Sequence, residues 1–520
     1  MRNKLFYASL ACGLLLSATS CEDQKFNDTY VDADRIHVDT LSAEMQKVRD
    51  YVPQYALVAH RGSTFWVPEE TESAYRWARE MGADYLECDM QVSKDGVVLA
   101  LHDTDLKRTT NIEEVFGERF PEQLRREYYE IIYKGIGDAH KKFIDSLIAQ
   151  DIKYFVPNYP SSYTYYELMH LDAGKWFNED NQEVARKGFE TQRQYISTLE
   201  DLIMYSKGYR LKRYTTDITP GANNLVWGNA TAAAGHRVVL SMATTGKKIT
   251  NPVNYYTVDA IVDYECDYIR DEKWGGNIPG IYIEFKEPWL NPAGFEQMVY
   301  DELAEVENMN IMESNVPENT PFYVNRSERP QIGSNPILSE NGRVINVGET
   351  RGKVILQTFS LQSLVQVSKV FKGEVPMCFL LWLGTGATDL TYDDPQGYAS
   401  FINLGGEYKA HYIGPCIAGA PNNYPELNYP WQHNLIHRAK MKNHPYSFDT
   451  YDQMAKYFGQ YNWGTEGGSR YEAPYVDAFF TNHTDMSLQY LYNFDWRDKE
   501  IAPYPVLDPN DVLTKLGYTK

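Results

Sequence analysis

Short apolar runs that end in polar or charged residues recur along the chain from Tyr55, and stretches of helical periodicity separate them. Apolar runs of about four to eight residues predict buried strands, and their alternation with helices is typical of a parallel α/β sheet or barrel. We predict eight strands, at residues 55–60, 85–90, 281–286, 354–359, 377–383, 410–415, 446–449 and 478–482. Because a helical segment follows most of these strands, the pattern predicts a (β/α)8 TIM barrel of class α/β.

The segment Glu72–Met81 shows the helical pattern most clearly. Gly82 follows it in the position where a helix usually ends. Four apolar side chains share one stripe of this helix and predict its buried face, namely Ala74, Trp77, Ala78 and Met81.

Two long stretches, at about 112–165 and 209–278, interrupt the alternation and are rich in Tyr, Asn, Gly and Pro. Stretches this long inside a compact domain usually carry structure or function of their own, so we interpret them as insertions between early strands. Segment 154–177 is strongly aromatic, and its rings could stack on a sugar or a lipid headgroup. Aromatic loops more often pack onto their own barrel, which is the favoured interpretation for Tyr159, Tyr163, Tyr165, Tyr166 and Trp176.

The first twenty residues have the composition of a signal peptide. Arg2 and Lys4 precede an apolar run of about twelve residues, too short for the roughly 30 Å core of a bilayer, and small residues follow it. Residues 18–21 resemble a bacterial lipobox, although Ala18 stands where Leu is usual. In such a motif Cys21 is acylated and becomes the mature N-terminus. The alternative is an ordinary cleaved signal peptide with an incidental cysteine.

These features divide the chain into a signal peptide at 1–20, a lipid-anchored spacer at 21–50 and a barrel at 51–520. Glu22 and Asp23 directly follow Cys21 and resemble the acidic export tag of some surface lipoproteins. We therefore expect an exported outer-membrane lipoprotein that faces the periplasm or the cell surface.

The net charge of the 520-residue chain is −21, and removing residues 1–20 removes two cations and no acids, which makes it −23. Such a protein repels polyanions at long range, so we expect no nucleic-acid partner and no membrane contact apart from the anchor. The sequence indicates no protein partner.

A hydrophobic content of 43% predicts a sizeable core. Four further cysteines lack metal-type spacing and are interpreted mostly as buried apolar residues: Cys88, Cys266, Cys378 and Cys416.

Two carboxylates lie close together on the second predicted strand. Side chains alternate along a strand, so Glu87 and Asp89 share one face. Two adjacent carboxylates repel each other unless a cation lies between them, and oxygen ligands suit Mg²⁺ or Ca²⁺. The strand end therefore predicts a divalent metal site.

Asp95 and Gly96 lie between two apolar runs that follow this strand, and Asp-Gly is typical of a two-residue hairpin turn. With that turn, residue 94 pairs with 97, and the register places His102 opposite Asp89. The predicted hairpin thus returns an imidazole to the metal site.

Two further strand ends carry suitable chemistry. His60 and Arg61 close the first strand, one strand away from the carboxylates, at the barrel face where active sites occur. Glu284 and Lys286 share one face of the third strand, where Glu284 could complete the metal site and Lys286 could face a phosphate. The alternatives are an ordinary strand end for His-Arg-Gly and a simple salt bridge for the Glu/Lys pair.

Taken as a set and in this order, the motifs resemble the glycerophosphodiester phosphodiesterase family. The matching segments are His60-Arg61-Gly62, Pro68-Glu69-Glu70-Thr71, 82–89, Lys94-Asp95-Gly96, His102-Asp103, 106–110, 171–174, 198–201, 357–360 and 477–482. Segments 281–289 and 444–446 are most similar to the periplasmic, calcium-using branch. Two residues depart from the family pattern: Glu70 replaces the usual Asn and Asn482 the usual Asp.

The resemblance implies a metal-dependent hydrolase that cleaves glycerophosphodiesters to sn-glycerol 3-phosphate and an alcohol. It implies a metal, with Ca²⁺ favoured over Mg²⁺, on Glu87, Asp89 and Glu284. It further implies general acid and base roles for His60 and His102, and phosphate binding by Arg61 and Lys286. Two alternatives stay open: the same fold acting on intact phospholipids or on glycan-linked glycerol phosphate, and a surface lipoprotein that binds such ligands without turnover.

Overall fold

The computed structural model describes residues 33–133, 140–211, 237–251, 256–266, 268–306, 309–311, 315–330, 341–383, 392, 394–461, 463 and 471–520. Side chains are described throughout these ranges except at residue 131 and in 237–251 and 256–266. The predicted signal peptide, Cys21, Glu22 and Asp23 lie outside the described residues.

Strands in the described residues are numbered in chain order. They are β1 Ala56–Ala59, β2 Tyr85–Val92, β3 Val98–Ala100, β4 Tyr209–Leu211, β5 Arg237–Asn251, β6 Tyr256–Cys266, β7 Tyr268–Arg270, β8 Gly280–Phe285, β9 Tyr323–Asn325, β10 Arg343–Ile345, β11 Val354–Thr358, β12 Met377–Leu381, β13 Tyr412–Pro415, β14 Lys442–Asn443 and β15 Ala478–Thr481.

The helices are likewise numbered in chain order. They are α1 Ala43–Arg49, α2 Glu72–Met81, α3 Ile112–Val115, α4 Glu122–Ile132, α5 His140–Tyr154, α6 Tyr165–Leu168, α7 Lys175–Asp180, α8 Lys187–Thr191, α9 Leu199–Ser206, α10 Phe295–Glu305, α11 Leu361–Val370, α12 Pro395–Glu407, α13 Pro430–Arg438, α14 Tyr451–Tyr457, α15 Thr484–Asn493 and α16 Pro509–Leu516.

Parallel strands form a nearly closed barrel in the order β14-β13-β12-β11-β8-β2-β1-β15. Closure between β14 and β15 depends on a few backbone contacts: Asp477 N donates to Asn443 O at 2.9 Å, and Phe448 N donates to Phe480 O at 2.8 Å. A helix follows each barrel strand, so the predicted (β/α)8 TIM barrel is confirmed.

Helix α2 begins and ends as its sequence predicts. The Thr71 hydroxyl accepts from Ala74 N at the N-cap, and Gly82 adopts a φ of 94° at the C-cap, a conformation that favours glycine. All ten residues of the helix are buried because α9, α15 and α16 cover it as well as the barrel. The predicted apolar stripe therefore belongs to a larger buried surface.

The hairpin after β2 has a different register from the predicted one. Val92 pairs with Val98 and Met90 with Ala100, so three residues, 94–96, form the loop instead of two. Gly96 takes the left-handed position with φ 90°, which is the usual third position of such a loop. The predicted pairing of Asp89 with His102 is therefore wrong by one residue: Asp89 O accepts from Leu101 N at 2.7 Å. Strand β3 ends at Ala100, and His102 lies in the chain that leaves it.

The seventh barrel strand was also misplaced. It is β14, Lys442–Asn443, which pairs with β13, and the predicted segment 446–449 contributes only isolated bridges at Tyr446 and Phe448. The Pro at position 445 lacks the N–H that a longer strand would need there.

Both predicted insertions lie between β2 and β8. The first is helical and has its own apolar core, separate from the barrel core. Tyr163, Tyr165 and Tyr166 are buried in that core, so these three rings pack inside the inserted segment and not, as we had interpreted them, onto the barrel. The hairpin holds this segment: Asp95 Oδ1 accepts from Tyr165 N at 2.8 Å, and Lys94 N donates to Tyr163 O at 2.8 Å.

Part of the segment predicted as a spacer packs on the barrel. Ala33, Val38 and Leu41 are buried in the main core, and Arg438 donates to the carbonyls of Ala33 and Ile36 at 2.6 and 2.8 Å. The folded body thus extends to residue 33.

Three of the four remaining cysteines, Cys88, Cys378 and Cys416, are buried free thiols, as predicted; the side chain of Cys266 is not described. Within the described ranges, no helix has both the length and the apolar character needed to cross a membrane.

Candidate active site

Three predicted metal ligands meet at the C-terminal ends of two neighbouring strands. Glu87 and Asp89 extend from β2, and Glu284 extends from β8, where it is the register partner of Asp89. All three side chains are buried, and each offers an oxygen within 4.8 Å of the others. The structure therefore brings the predicted carboxylates together.

A fourth carboxylate, Glu70, lies behind this group. Its Oε1 accepts from Asp89 N at 2.9 Å, and its buried Oε2 accepts no hydrogen bond from the described residues. Its backbone N–H donates to Arg61 O at 3.0 Å, so the backbone of Glu70 supports the Arg61 turn. Glu70 is one of the residues whose contribution to the site we did not predict.

The electrostatics of this group call for a cation. Burial and the charge of Asp89 raise the pKa of Glu70 and of Glu87 well above the ordinary value. Burial raises the pKa of Glu284 to about 8 despite the neighbouring Lys286. Burial alone would raise the pKa of Asp89 too, but the charges of Lys286, His102 and Arg61 outweigh this effect and lower its pKa. A divalent cation would let all of these acids ionise together, so the residues present fit a hard metal ion.

Two cations border the carboxylates. Lys286 Nζ lies 3.1 Å from Glu284 Oε1 and 3.9 Å from Asp89 Oδ1. Arg61 Nε lies 3.2 Å from Asp89 Oδ2, yet neither atom makes a hydrogen bond of good geometry. Arg61 occupies a turn at the end of β1 with a φ of 49°, and its backbone N–H donates to Glu87 Oε2 at 2.7 Å. Both cations are therefore placed beside the acids with donor capacity that a phosphate could use.

His60 is oriented by a chain of two side chains. Its Nδ1 lies 2.8 Å from Asn482 Oδ1, and Asn482 Nδ2 donates to Asp449 Oδ1 at 2.6 Å. An ionised carboxylate only accepts hydrogen bonds, so the amide nitrogen of Asn482 faces Asp449 and its oxygen faces His60. His60 Nδ1 must then carry the hydrogen, which leaves Nε2 to exchange protons in the cavity. Burial and the charge of Arg61 lower the pKa of His60 to about 3.

His102 has a carboxylate in the corresponding position. Its Nδ1 lies 2.7 Å from Asp103 Oδ1, and Arg108 holds Asp103 and Glu69 through four hydrogen bonds. Burial and the charge of Arg61 lower the pKa of His102. Here too the hydrogen on Nδ1 is directed at the acceptor, and Nε2 is the nitrogen left for proton transfer.

Two glutamines position the site in ways that sequence reasoning missed. The Gln91 amide donates to the carbonyl oxygens of Leu101, His102 and Asp103, which fixes the chain that carries His102. Gln357 Nε2 donates to Glu87 Oε1 at 2.9 Å. Gln91 continues the inward-facing alternation of Glu87 and Asp89, and this spacing could have identified it.

These groups line one cavity of about 480 Å³ at the C-terminal face of the barrel. His60, Arg61, Glu87, His102, Glu284 and Lys286 all contribute to its wall, while Asp89 lies beneath them. Every predicted catalytic, phosphate-binding and metal-binding residue is therefore in one place; Cys21 lies outside the described residues.

The fold and the site together define a (β/α)8 barrel that combines carboxylates, imidazoles and cations at its C-terminal face. Residues 60–218 match the sequence model of the Glycerophosphoryl diester phosphodiesterase family. The chain therefore carries a domain of that family.

Curated relatives are similar over the same part of the chain. The glycerophosphoinositol inositolphosphodiesterase of Mus musculus is 32% identical over 165 residues, which are 31% of this chain and 24% of the relative. The glycerophosphodiester phosphodiesterase of Bacillus subtilis (strain 168) is 29% identical over 167 residues, 32% of this chain and 41% of the relative. The chain thus matches less than half of the length of either relative.

Among solved structures, the chain is similar to a phosphodiesterase of Oleispira antarctica in complex with the product sn-glycerol-3-phosphate. The identity is 14% and the TM-score 0.40, with 85% of this chain and 97% of the other covered.

Proposed function

We propose that the protein hydrolyses glycerophosphodiesters to sn-glycerol 3-phosphate and an alcohol. The observation that carries this proposal is the meeting, in one cavity, of two imidazoles with free Nε2 atoms, two cations and a group of buried carboxylates. This combination can bind a phosphate, move protons on both sides of it and hold a metal ion.

Each group has a distinct role in this proposal. Glu87, Asp89 and Glu284 hold the divalent cation, with Ca²⁺ favoured over Mg²⁺ on the resemblance to the calcium-using branch. When bound, a cation there would withdraw electron density from the phosphate and stabilise its negative charge. Arg61 and Lys286 bind phosphoryl oxygens.

The two imidazoles move the protons. In the first step one neutral imidazole accepts at Nε2 the proton of the attacking glycerol hydroxyl group, and the other, protonated on both nitrogens, donates its Nε2 proton to the alkoxide that leaves as the P–O bond breaks. Water then opens the resulting cyclic phosphate with the two roles exchanged, which gives sn-glycerol 3-phosphate. The hydrogens on both Nδ1 atoms stay directed at Asn482 and Asp103 throughout.

We further propose that residues 1–20 are an export signal and that acylated Cys21 anchors the protein in the outer membrane. The apolar run, the small residues and Cys21 support this proposal. Labelled palmitate should enter the wild-type chain and not Cys21→Ala, and the absence of label from both would contradict the anchor.

The activity is tested with the purified full chain and a panel of glycerophosphodiesters and intact phospholipids, each with Ca²⁺, Mg²⁺ or EDTA. We expect glycerol 3-phosphate from the glycerophosphodiesters, abolished by EDTA and by Glu284→Gln. The control is Glu296→Gln, which changes a buried glutamate on α10 that accepts from Ser363 Oγ outside the cavity. Release of phosphatidic acid from phospholipids would instead favour a phospholipase-D-like enzyme. Binding without any product would favour a non-catalytic lipoprotein.

A further inference from the structure

The cavity has two chemically different halves. The imidazoles, cations and carboxylates described above form one half. The other half is aromatic. Phe285 and Phe480 also line the cavity, and we call the other five aromatic side chains the aromatic wall: Trp289, Phe359, Trp382, Tyr424 and Tyr446.

The aromatic wall is assembled from successive parts of the barrel. Its members follow β8, β11, β12, β13 and β14 in turn. Trp382 and Tyr424 have ring centroids 4.4 Å apart at 73°, Tyr424 and Tyr446 6.3 Å apart at 58°, and Tyr446 and Phe359 5.6 Å apart at 87°. Because neighbouring rings are steeply inclined to each other, they border the cavity from several directions.

The polar groups of the aromatic wall are the hydroxyls of Tyr424 and Tyr446 and the indole N–H groups of Trp289 and Trp382, and the rest of its surface is ring faces. The Tyr446 hydroxyl is already committed to Leu381 O at 2.9 Å, and the Gln357 amide nitrogen to Glu87. A polyhydroxylated alcohol would exchange most of its hydrogen bonds to water for contacts with ring faces here, which is unfavourable. The wall therefore suits a compact group that needs no directional hydrogen bonds.

The charge on this side favours a cation. Glu287 lines the same cavity, and among the described residues its carboxylate makes no ion pair and no hydrogen bond. Aromatic faces attract cations through the ring quadrupole, and a quaternary ammonium group is the cation that several rings around one space recognise best. The net charge of −21 also attracts cationic substrates at long range.

We propose that the aromatic wall, with Glu287, binds the alcohol arm of a substrate whose alcohol ends in a quaternary ammonium group. The phosphate of that substrate lies against Arg61 and Lys286. This inference rests on the proposed phosphodiesterase function, and it adds the substrate class that the ionic half of the cavity leaves open.

The test compares two substrates of nearly equal shape on the full chain with Ca²⁺. Glycerophosphocholine carries the charge, and the glycerophosphodiester of 3,3-dimethylbutanol replaces the nitrogen by carbon. We expect kcat/KM to be about tenfold or more higher for the charged substrate, because several rings and one carboxylate contribute. A ratio near one in the wild-type protein would overturn the proposal.

Variants test whether the aromatic wall and Glu287 cause the preference for the charged substrate. Trp382→Leu and Glu287→Gln should each lower the ratio of the two kcat/KM values, while Trp382→Phe, which keeps a ring, should retain most of it. The matched control is Tyr461→Leu, an exposed aromatic that does not line the cavity, and it should leave the ratio unchanged. Equal ratios in Trp382→Leu and the control would contradict the assignment.

A binding measurement separates this inference from the proposed function. Calorimetric titration of choline into the wild-type chain should show binding that Trp382→Leu weakens and that 3,3-dimethylbutanol does not reproduce. If no glycerophosphodiester is cleaved, the proposed function fails, and this titration still decides the inference. Absence of choline binding together with cleavage of other glycerophosphodiesters would overturn the inference alone.

Discussion

The contact between Asn482 and Asp449 gives the sharpest quantitative prediction. Asn482 Nδ2 lies 2.6 Å from Asp449 Oδ1. Replacing Asn482 by Asp puts two carboxylates at this distance, and two unit charges there repel by about 6 kcal/mol at an effective dielectric constant of about 20. Uptake of one proton limits the penalty to about 4 kcal/mol at pH 7, the cost of protonating an ordinary aspartate. Since both side chains are only partly buried, we expect a loss of about 2–4 kcal/mol in unfolding free energy.

The exchange of both residues provides the control. In the double variant Asn482→Asp with Asp449→Asn, the amide and the carboxylate change places, so a donor again faces an acceptor and His60 Nδ1 keeps its acceptor. Most of the lost stability should return, and the double-mutant cycle should show a coupling of about 2–3 kcal/mol. Asn482→Leu, which removes the acceptor, should lower kcat about 10–100-fold.

Urea unfolding followed by tryptophan fluorescence measures the stabilities, because the chain has ten tryptophans. The kcat values come from glycerol 3-phosphate release. If the double variant is no more stable than Asn482→Asp alone, the orientation deduced for His60 is wrong.

Three other predictions concern separate parts of the molecule. Excess Ca²⁺ should raise the melting temperature of the wild-type chain and not that of Glu284→Gln, and an equal rise in both would contradict the metal ligands. Gln91→Leu should lower kcat more than it raises KM, because it frees the carbonyls of residues 101–103 that position His102; an effect on KM alone would argue against this role. Burial raises the pKa of Asp477, but the hydrogen bond and charge of His437 outweigh it and hold the pKa below its ordinary value. The stability that Asp477 provides is therefore present above about pH 4 and lost as the pH falls through its folded pKa. The difference in unfolding free energy between the wild-type chain and Asp477→Asn should therefore shrink in acid, and a constant difference from pH 7 to about pH 3 would contradict this.

The sequence pattern could predict the barrel because buried parallel strands are nearly continuous apolar runs. It could not place β14, where only Lys442–Asn443 forms ladder pairs with β13 and neither residue is apolar. Pairing in this short strand depends on neighbours from β13 and on the contacts that close the barrel, which local periodicity does not contain.

The hairpin shows a similar limit. Asp95-Gly96 indicates a turn, but whether two or three residues form it depends on contacts outside the turn. Here Lys94 N and Asp95 Oδ1 bind the inserted segment at Tyr163 and Tyr165, about 70 residues further along the chain, so the loop includes Lys94.

Of the candidate site, the residues with obvious chemistry could be predicted because they end strands that meet at one face. The residues that position them could not. Asn482, noted only as a departure, supplies the oxygen that orients His60, and Asp449, which orients Asn482, carries no motif of its own. Their roles depend on side-chain distances between strands, which only the folded structure provides.

The proposed hydrolysis is tested most directly by ³¹P nuclear magnetic resonance of glycerophosphocholine incubated with the full chain and Ca²⁺. We expect the diester resonance to be replaced by that of sn-glycerol 3-phosphate, and His60→Gln and EDTA each to prevent the change. An unchanged diester, or phosphocholine as the phosphorus-containing product, would contradict it.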